Sequence, residues 1–190
     1  MSHSTISGGK IRRLRARETG LLADHLLRLD RESRRMRFGH AVADAFIAQY
    51  AGLTDMVESV VFGYFEGDEM RAAAELRKLG QTWGHEAEAA FSVEKAYQDL
   101  GIGTELMGRI IRAARNRGVH ELYMSCLTEN RKMQRIAAKF EAELRFERGD
   151  AIGLIVPDWP SYASLMAESL EDAESYLMAV LDLQRALVRG

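Results

Sequence analysis

The stretch Gln98-Asp99-Leu100-Gly101-Ile102-Gly103-Thr104 lies between a strand-like run and a strongly helical one, and the fold is read outward from it. A glycine-bearing turn that opens a helix presents backbone N–H groups without helical partners, and the aligned peptide dipoles add partial positive charge there. Phosphates settle at such places, and glycine lets them approach the backbone with no Cβ in the way. Single positions exclude two phosphate loops. The dinucleotide fingerprint G-x-G-x-x-G needs a third glycine where Leu106 stands. The mononucleotide loop G-x-x-x-x-G-K-[ST] is nearly met by Gly103 and Gly108, but Arg109 and Ile110 replace its lysine and hydroxyl. What remains is Q-x-x-G-x-G, Gln98 to Gly103.

On the near side of the loop, His85 to Val93 alternates as a strand, with Glu86, Glu88, Ala90 and Ser92 on one face and Ala87, Ala89, Phe91 and Val93 on the other. One face is apolar and the other carries two carboxylates. On the far side, Thr104 to Arg117 reads as a helix that buries Leu106, Met107, Ile110, Ile111 and Ala114 and ends at Gly118. Strand character resumes from Val119 to Leu127. Asn130 can cap a short helix facing inward through Met133, Ile136, Ala137 and Phe140, and Glu141 to Val156 supplies a last hairpin turning at Arg148-Gly149-Asp150.

Toward the N-terminus, Met56 to Phe65 and Met70 to Leu79 read as the arms of a hairpin, although Ala72, Ala73 and Ala74 weaken the second arm. Before them come a short basic strand at 10–17, a helix opened by Thr19, an arginine-dense loop or short helix ending in Phe38, and a helix from about His40 to Tyr50. Residues 1–9 read as disordered. Beyond Pro157 the pattern is helical to the end. Leu165, Leu170, Ala173, Tyr176, Leu177, Val180, Leu181 and Leu187 form an apolar stripe, with Glu168, Glu171, Asp172 and Glu174 mostly off it. Such a stripe packs on the parent domain or forms a seam between two copies. The predicted organisation is therefore 1–9 as a tail, 10–156 as one domain and 157–190 as a helical extension, in a mixed α/β (α+β) fold.

The net charge of -2 gives no reason for broad attraction to nucleic acid or anionic membranes, so any anion site must be local. A lone cysteine, Cys126, excludes an internal disulfide framework and reads as core filling inside a strand. No apolar leader or membrane span is read, which predicts a soluble, cytoplasmic protein. The five histidines show no ligand spacing, so no metal is expected.

From Glu86 to Phe140 the chain resembles the core of the GCN5-related N-acetyltransferases, the GNAT superfamily. Glu88-Ala-Ala-Phe-Ser-Val93, the Q-x-x-G-x-G loop, Gly118-Val119 and Glu129-Asn130-Arg131-Lys132-Met133 follow in the family's order. The segment ending in Arg37-Phe38 is also similar to one in prokaryotic members related to protein-lysine acetyltransferases. The resemblance covers roughly residues 11–156. It implies a central, mostly antiparallel sheet flanked by helices, acetyl-CoA as donor and an amine as acceptor. It places Phe91, Ser92 and Val93 beside the pantetheine arm, the amides of Gln98, Asp99, Leu100, Gly101, Ile102, Gly103 and Thr104 on the diphosphate, and Asn130 on the cofactor arm.

A lysine-like amine near pKa 10.4 is mostly protonated at neutral pH, so acetyl transfer to it needs a base. Glu88 holds the position often taken by a base glutamate in similar proteins, and Glu86 shares its face. Where many members place a general-acid tyrosine, this chain has Ala137. That departure motivates the alternative reading, a non-catalytic acyl-CoA-binding sensor or interaction module.

Overall fold

The computed structural model describes residues 8–54 and 58–189, with side chains described through 174 and at 176 and 177. The expected tail at 1–7 and the expected strand start at 56 and 57 lie outside these residues, as do the side chains of Val180, Leu181 and Leu187 in the C-terminal stripe. In chain order the elements are β1 (Lys10–Arg13), α1 (Thr19–Arg28), α2 (Arg31–Phe38), α3 (Asp44–Gly52), β2 (Ser59–Glu66), β3 (Glu69–Leu79), β4 (Glu86–Val93), α4 (Ile102–Asn116), β5 (Glu121–Leu127), α5 (Arg131–Lys139), β6 (Glu143–Glu147), β7 (Asp150–Ile155) and α6 (Tyr162–Arg189). Seven strands form one mixed sheet in the order β1-β2-β3-β4-β5-β7-β6. Every neighbour pair is antiparallel except β4 and β5, which run parallel and pair from Glu86↔Glu121 to Glu88↔Tyr123.

The sheet has a core on each face, and strand alternation divides residues between them. Val60, Phe62 and Tyr64 of β2, Ala72, Ala74 and Leu76 of β3, and Ala87 and Ala89 of β4 pack against Ile102, Leu106, Met107 and Ile110 of α4. Each of the large α4 side chains contributes about 1.5–3 kcal/mol by leaving water. On the other face Val61, Phe65, Met70 and Ala73 pack against Leu22 and Leu26 of α1 and Ile47 of α3. The run Ala72-Ala73-Ala74, which argues locally for helix, is a fully buried strand. Small side chains there admit α4 on one face and α1 on the other, and tertiary packing overrides propensity.

One N-terminal element left open by the sequence is decided, and another starts later than expected. The arginine-dense segment is a regular helix, α2, because Asp30 accepts from the Ser33 N–H at 2.7 Å and Gly39, at φ +76°, donates its N–H to Arg35 O at 2.8 Å. The next helix starts at Asp44 rather than His40, since the chain must leave the left-handed turn at Gly39 before another helix begins.

The C-terminal region is one 28-residue helix, and its faces are reversed relative to the packing expectation. The acidic side meets the domain: Asp172 pairs with Arg13 at 3.0 Å, Glu168 with Arg117 at 2.7 Å, and Glu171 with Arg112. The apolar stripe faces outward, with Leu165, Leu170, Tyr176 and Leu177 all exposed. The reason is electrostatic, because α4 and β1 present guanidinium groups to this helix rather than an apolar groove. Among the described residues no helix is long and apolar enough to cross a membrane.

Candidate functional site

The parallel pairing of β4 with β5 stops at Glu88↔Tyr123, and the loop 98–104 begins just past the end of β4. Into this divergence opens a cavity of about 780 Å³, walled by α2, by Phe91, Ser92 and Val93 of β4, by the loop, and by α5. The loop is built for an anion. Asp99 and Gly101 both take left-handed backbone, at φ +62° and +83°, and flank Leu100. Such alternation turns successive N–H groups toward one point, a nest for anions. Gly101 is also the N-cap of α4, so no side chain covers the first-turn amides. A Cβ built at Gly101 meets nothing within 4 Å, so the space above the nest is open.

Side chains hold the loop in place. Gln98 Nε2 donates to Val93 O at 3.1 Å, tying the loop back to β4, while Lys132 Nζ donates to Gln98 Oε1 at 2.9 Å and to Asp99 Oδ2 at 2.7 Å. Lys132 belongs to a basic wall: Arg131, Lys132, Arg135 and Lys139 of α5 all line the cavity. Asn130 Oδ1 accepts from Met133 N–H at 3.1 Å, so Asn130 caps α5 while lining the cavity.

Of the residues expected at the site, Phe91, Ser92, Val93, Gln98, Asp99, Gly101, Gly103, Thr104 and Asn130 converge on the cavity wall. Leu100 is turned to solvent and Ile102 into the core, so these two can serve only through their amides. Glu86 and Glu88 stand outside the wall. Glu88 is exposed at the throat where β4 and β5 part, opposite Arg77 of β3 and Tyr123 of β5. The Tyr123 hydroxyl donates to Glu121 Oε2. Ala137, at the position of the missing tyrosine, is buried in the α4-side core.

Two buried polar clusters border the same region, and neither is legible in local spacing. In the first, Glu75 of β3 is 1% exposed and lies opposite Ala90 of β4. It accepts from Arg37 at 2.6 Å, from Arg77 at 2.9 Å and from the Tyr50 hydroxyl at 3.0 Å. Burial works to raise the Glu75 pKa, but attraction to Arg37 and Arg77 outweighs it and holds the carboxyl below the usual glutamate range. Burial and the neighbouring Glu75 push Tyr50 up to about 12, so it remains a donor. Arg37 itself lines the cavity. In the second cluster, His25 of α1 is fully buried between Ser92 and Glu94, with Nε2 2.9 Å from Ser92 Oγ and Nδ1 3.3 Å from Glu94 Oε1.

Comparison with known proteins agrees with this geometry. The model of the acetyltransferase (GNAT) family matches residues 23–141, well over half of the chain. No curated protein sequence matches the chain. Among solved structures, the GNAT domain of S. lividans PAT superposes with a TM-score of 0.67 at 23% identity, covering 78% of this chain and 90% of that one. The structure of yncA from Salmonella typhimurium, solved with acetyl-CoA, gives 0.60 at 14% identity, covering 82% and 97%. A cAMP-binding acyltransferase from Mycobacterium smegmatis gives 0.57 at 24% identity, and there this chain, 90% covered, spans only 52% of the other. With its sheet order, its nest at the head of α4 and the family match from α1 to α5, the chain belongs to the acetyltransferase (GNAT) family.

Proposed function

We propose that this protein is an acetyl-CoA-dependent N-acetyltransferase acting on a primary amine, either a small molecule or a protein lysine. The observation that carries this reading is the nest from Asp99 to Gly103 at the open end of the β4/β5 divergence. In this reading the loop amides hold the diphosphate of the donor, Phe91 to Val93 border its pantetheine arm, and Asn130 contacts that arm while capping α5. The thioester then lies back along β4, between Ser92 and Ala90. Glu88, two residues further on the same face and about 7 Å along the strand, acts as the base through a water, with Glu86 behind it. Backbone N–H groups on the β5 side of β4 past Glu88 polarise the thioester carbonyl without any side chain. The leaving thiolate has an ordinary pKa near 8.5 and takes its proton from solvent, so Ala137 does not prevent turnover.

Two measurements test the reading. Acetyl-CoA raises the melting temperature of the protein, and an amine panel gives thiol release above the rate without amine. Stabilisation with no amine-dependent release would instead support the acyl-CoA-binding sensor, the reading that Ala137 favours. The nest has its own test. Gly101→Val places a branched side chain at φ +83°, at a strain of about 1–2 kcal/mol. It also fills the open space above the amides, and acetyl-CoA affinity drops at least about tenfold. Gly101→Asn tolerates the left-handed backbone and isolates the occlusion from the strain. Unchanged acetyl-CoA affinity in both variants would remove the diphosphate from this loop.

A further inference from the structure

Ser92, His25 and Glu94 come from a strand, a helix and the turn after the strand, and the fold places them in the order and contact of a nucleophile, a base and an orienting acid. His25 is fully buried, and burial lowers its pKa despite the pull of Glu94, so the imidazole is neutral. The Glu94 carboxylate is held below its usual range: burial opposes this, but hydrogen bonds from His25 and Arg28 outweigh it. An ionised carboxylate beside Nδ1 fixes the proton there, donated to Glu94 Oε1 at 3.3 Å. Nε2 is then an acceptor, and its partner at 2.9 Å is the Ser92 hydroxyl, which must donate to it. The Ser92 proton is thus directed at the base, and lone pairs of its oxygen are left for the cavity that Ser92 lines.

The orienting acid is itself fixed. Glu94 accepts from Arg28 Nε at 3.0 Å and from Arg71 at 3.2 Å, and its own N–H donates to Arg71 O at 3.0 Å. Beside Ser92, β4 has left its pairing with β5, which covers Glu86 to Glu88. Past Glu88 that edge is no longer paired with β5, and peptide N–H groups there can bind an oxyanion.

We propose that Ser92 is a second reactive centre in the cavity wall, which accepts the acyl group of a bound acyl thioester and releases it to water, making the protein an acyl-CoA hydrolase when no amine is present. Ser92 Oγ attacks the thioester carbonyl carbon while its proton passes to His25 Nε2. The C–S bond breaks, the sulfur leaves with its electron pair, and His25 returns the proton to give the free thiol. Water then attacks the O-acylserine, again losing a proton to His25, and the carboxylic acid departs as Ser92 regains its proton. The proposal rests on the reading that acyl-CoA occupies this cavity, and the test separates the two.

The full-length protein is incubated without amine with acetyl-CoA or with p-nitrophenyl acetate, a small activated ester that needs no diphosphate loop. Samples are acid-quenched for peptide mass analysis, and acetyl-CoA binding is measured independently by thermal shift. The expected result is a mass gain of one acetyl group on the peptide containing Ser92. Hydrolysis slows at least about tenfold in Ser92→Ala and Glu94→Gln. Ser92→Cys keeps the adduct, now as a hydroxylamine-labile thioester. Acetyl-CoA binding with no adduct from either probe, or hydrolysis unchanged in Ser92→Ala, overturns the proposal and leaves the acetyltransferase reading intact. A Ser92 adduct from the ester with no acetyl-CoA stabilisation leaves a reactive serine but takes acyl-CoA out of the cavity, which overturns both the acyl-CoA hydrolase and the acetyltransferase readings. A purely structural role for the buried histidine yields no adduct at all.

Discussion

Glu75→Gln lowers the stability of the protein by about 3–5 kcal/mol, one of the largest effects of a single substitution expected here. The wild-type carboxylate is 1% exposed and accepts from two guanidinium groups and one phenol. Glutamine keeps the shape but removes the charge, so Arg37, itself 92% covered with Glu75 as its ion-pair partner, remains buried and uncompensated. For a domain of this size the loss corresponds to a fall in melting temperature of roughly 10 °C. The replacement of Glu75 and Arg37 together, Glu75→Leu with Arg37→Met, costs less than Glu75→Gln alone, because the deeply buried Arg37 charge goes with its partner and Arg77, about one third exposed, reaches water. Urea unfolding of the three proteins checks this, and a Glu75→Gln loss below about 1 kcal/mol would show that the cluster is not held by its charge pairing. The pH dependence follows from the sign of the shift. The Glu75 pKa is lower folded than unfolded, so its contribution is fully present above the ordinary glutamate pKa, about 4.3, and disappears as pH falls through the folded value.

This cluster also shows where sequence reasoning stops. The loop, α4 and the β2/β3 and β6/β7 hairpins are legible because each is declared by neighbours in sequence: a glycine pair before a helix, a stripe at helical period, a glycine turn between β-rich arms. Arg77 is a near neighbour of Glu75 in sequence, but nothing near Glu75 declares its other two partners. Arg37 is 38 residues away and Tyr50 is 25, and only the docking of α2 and α3 on β3 brings them together. The same holds for His25 and Ser92, 67 residues apart. The resemblance places Ser92 beside the cofactor arm, whereas its proposed base lies on a helix whose leucine stripe announces only packing. The helix α6 illustrates a different limit. Its stripe is real, but periodicity gives the faces of a helix and not which face turns inward. Arg13, Arg112 and Arg117 on the domain decide that by pairing with its acidic side. A sign preference between two surfaces is a property of the pair, and it is invisible in either segment alone.

Glu88→Gln is expected to lower kcat by about 10²–10⁴-fold for an amine acceptor at neutral pH, the range ordinarily supplied by a positioned general base. Glu88 is exposed and has no ion pair among the described residues, so the substitution leaves the melting temperature within about 1 °C, as for other surface changes. KM for acetyl-CoA changes little, because the proposed donor site is the loop and the inner part of β4, beyond the throat. Glu86→Gln has a smaller effect: Glu86 lies a further two residues, about 7 Å, down the strand from the point of divergence. The comparison carries more information than either variant. Loss of turnover in Glu86→Gln with Glu88→Gln intact would move the base deeper and shift the inferred thioester position with it. If both variants keep full activity, deprotonation belongs to a group on another element, and activity should then rise with pH in step with the free-amine fraction of the acceptor. A pH profile measured with two amines of different pKa distinguishes this case: the apparent pKa follows the amine when the enzyme supplies no base, and stays fixed when Glu88 does. The throat geometry favours the fixed profile, since Glu88 closes the last β4/β5 pair, at the point where the strands part.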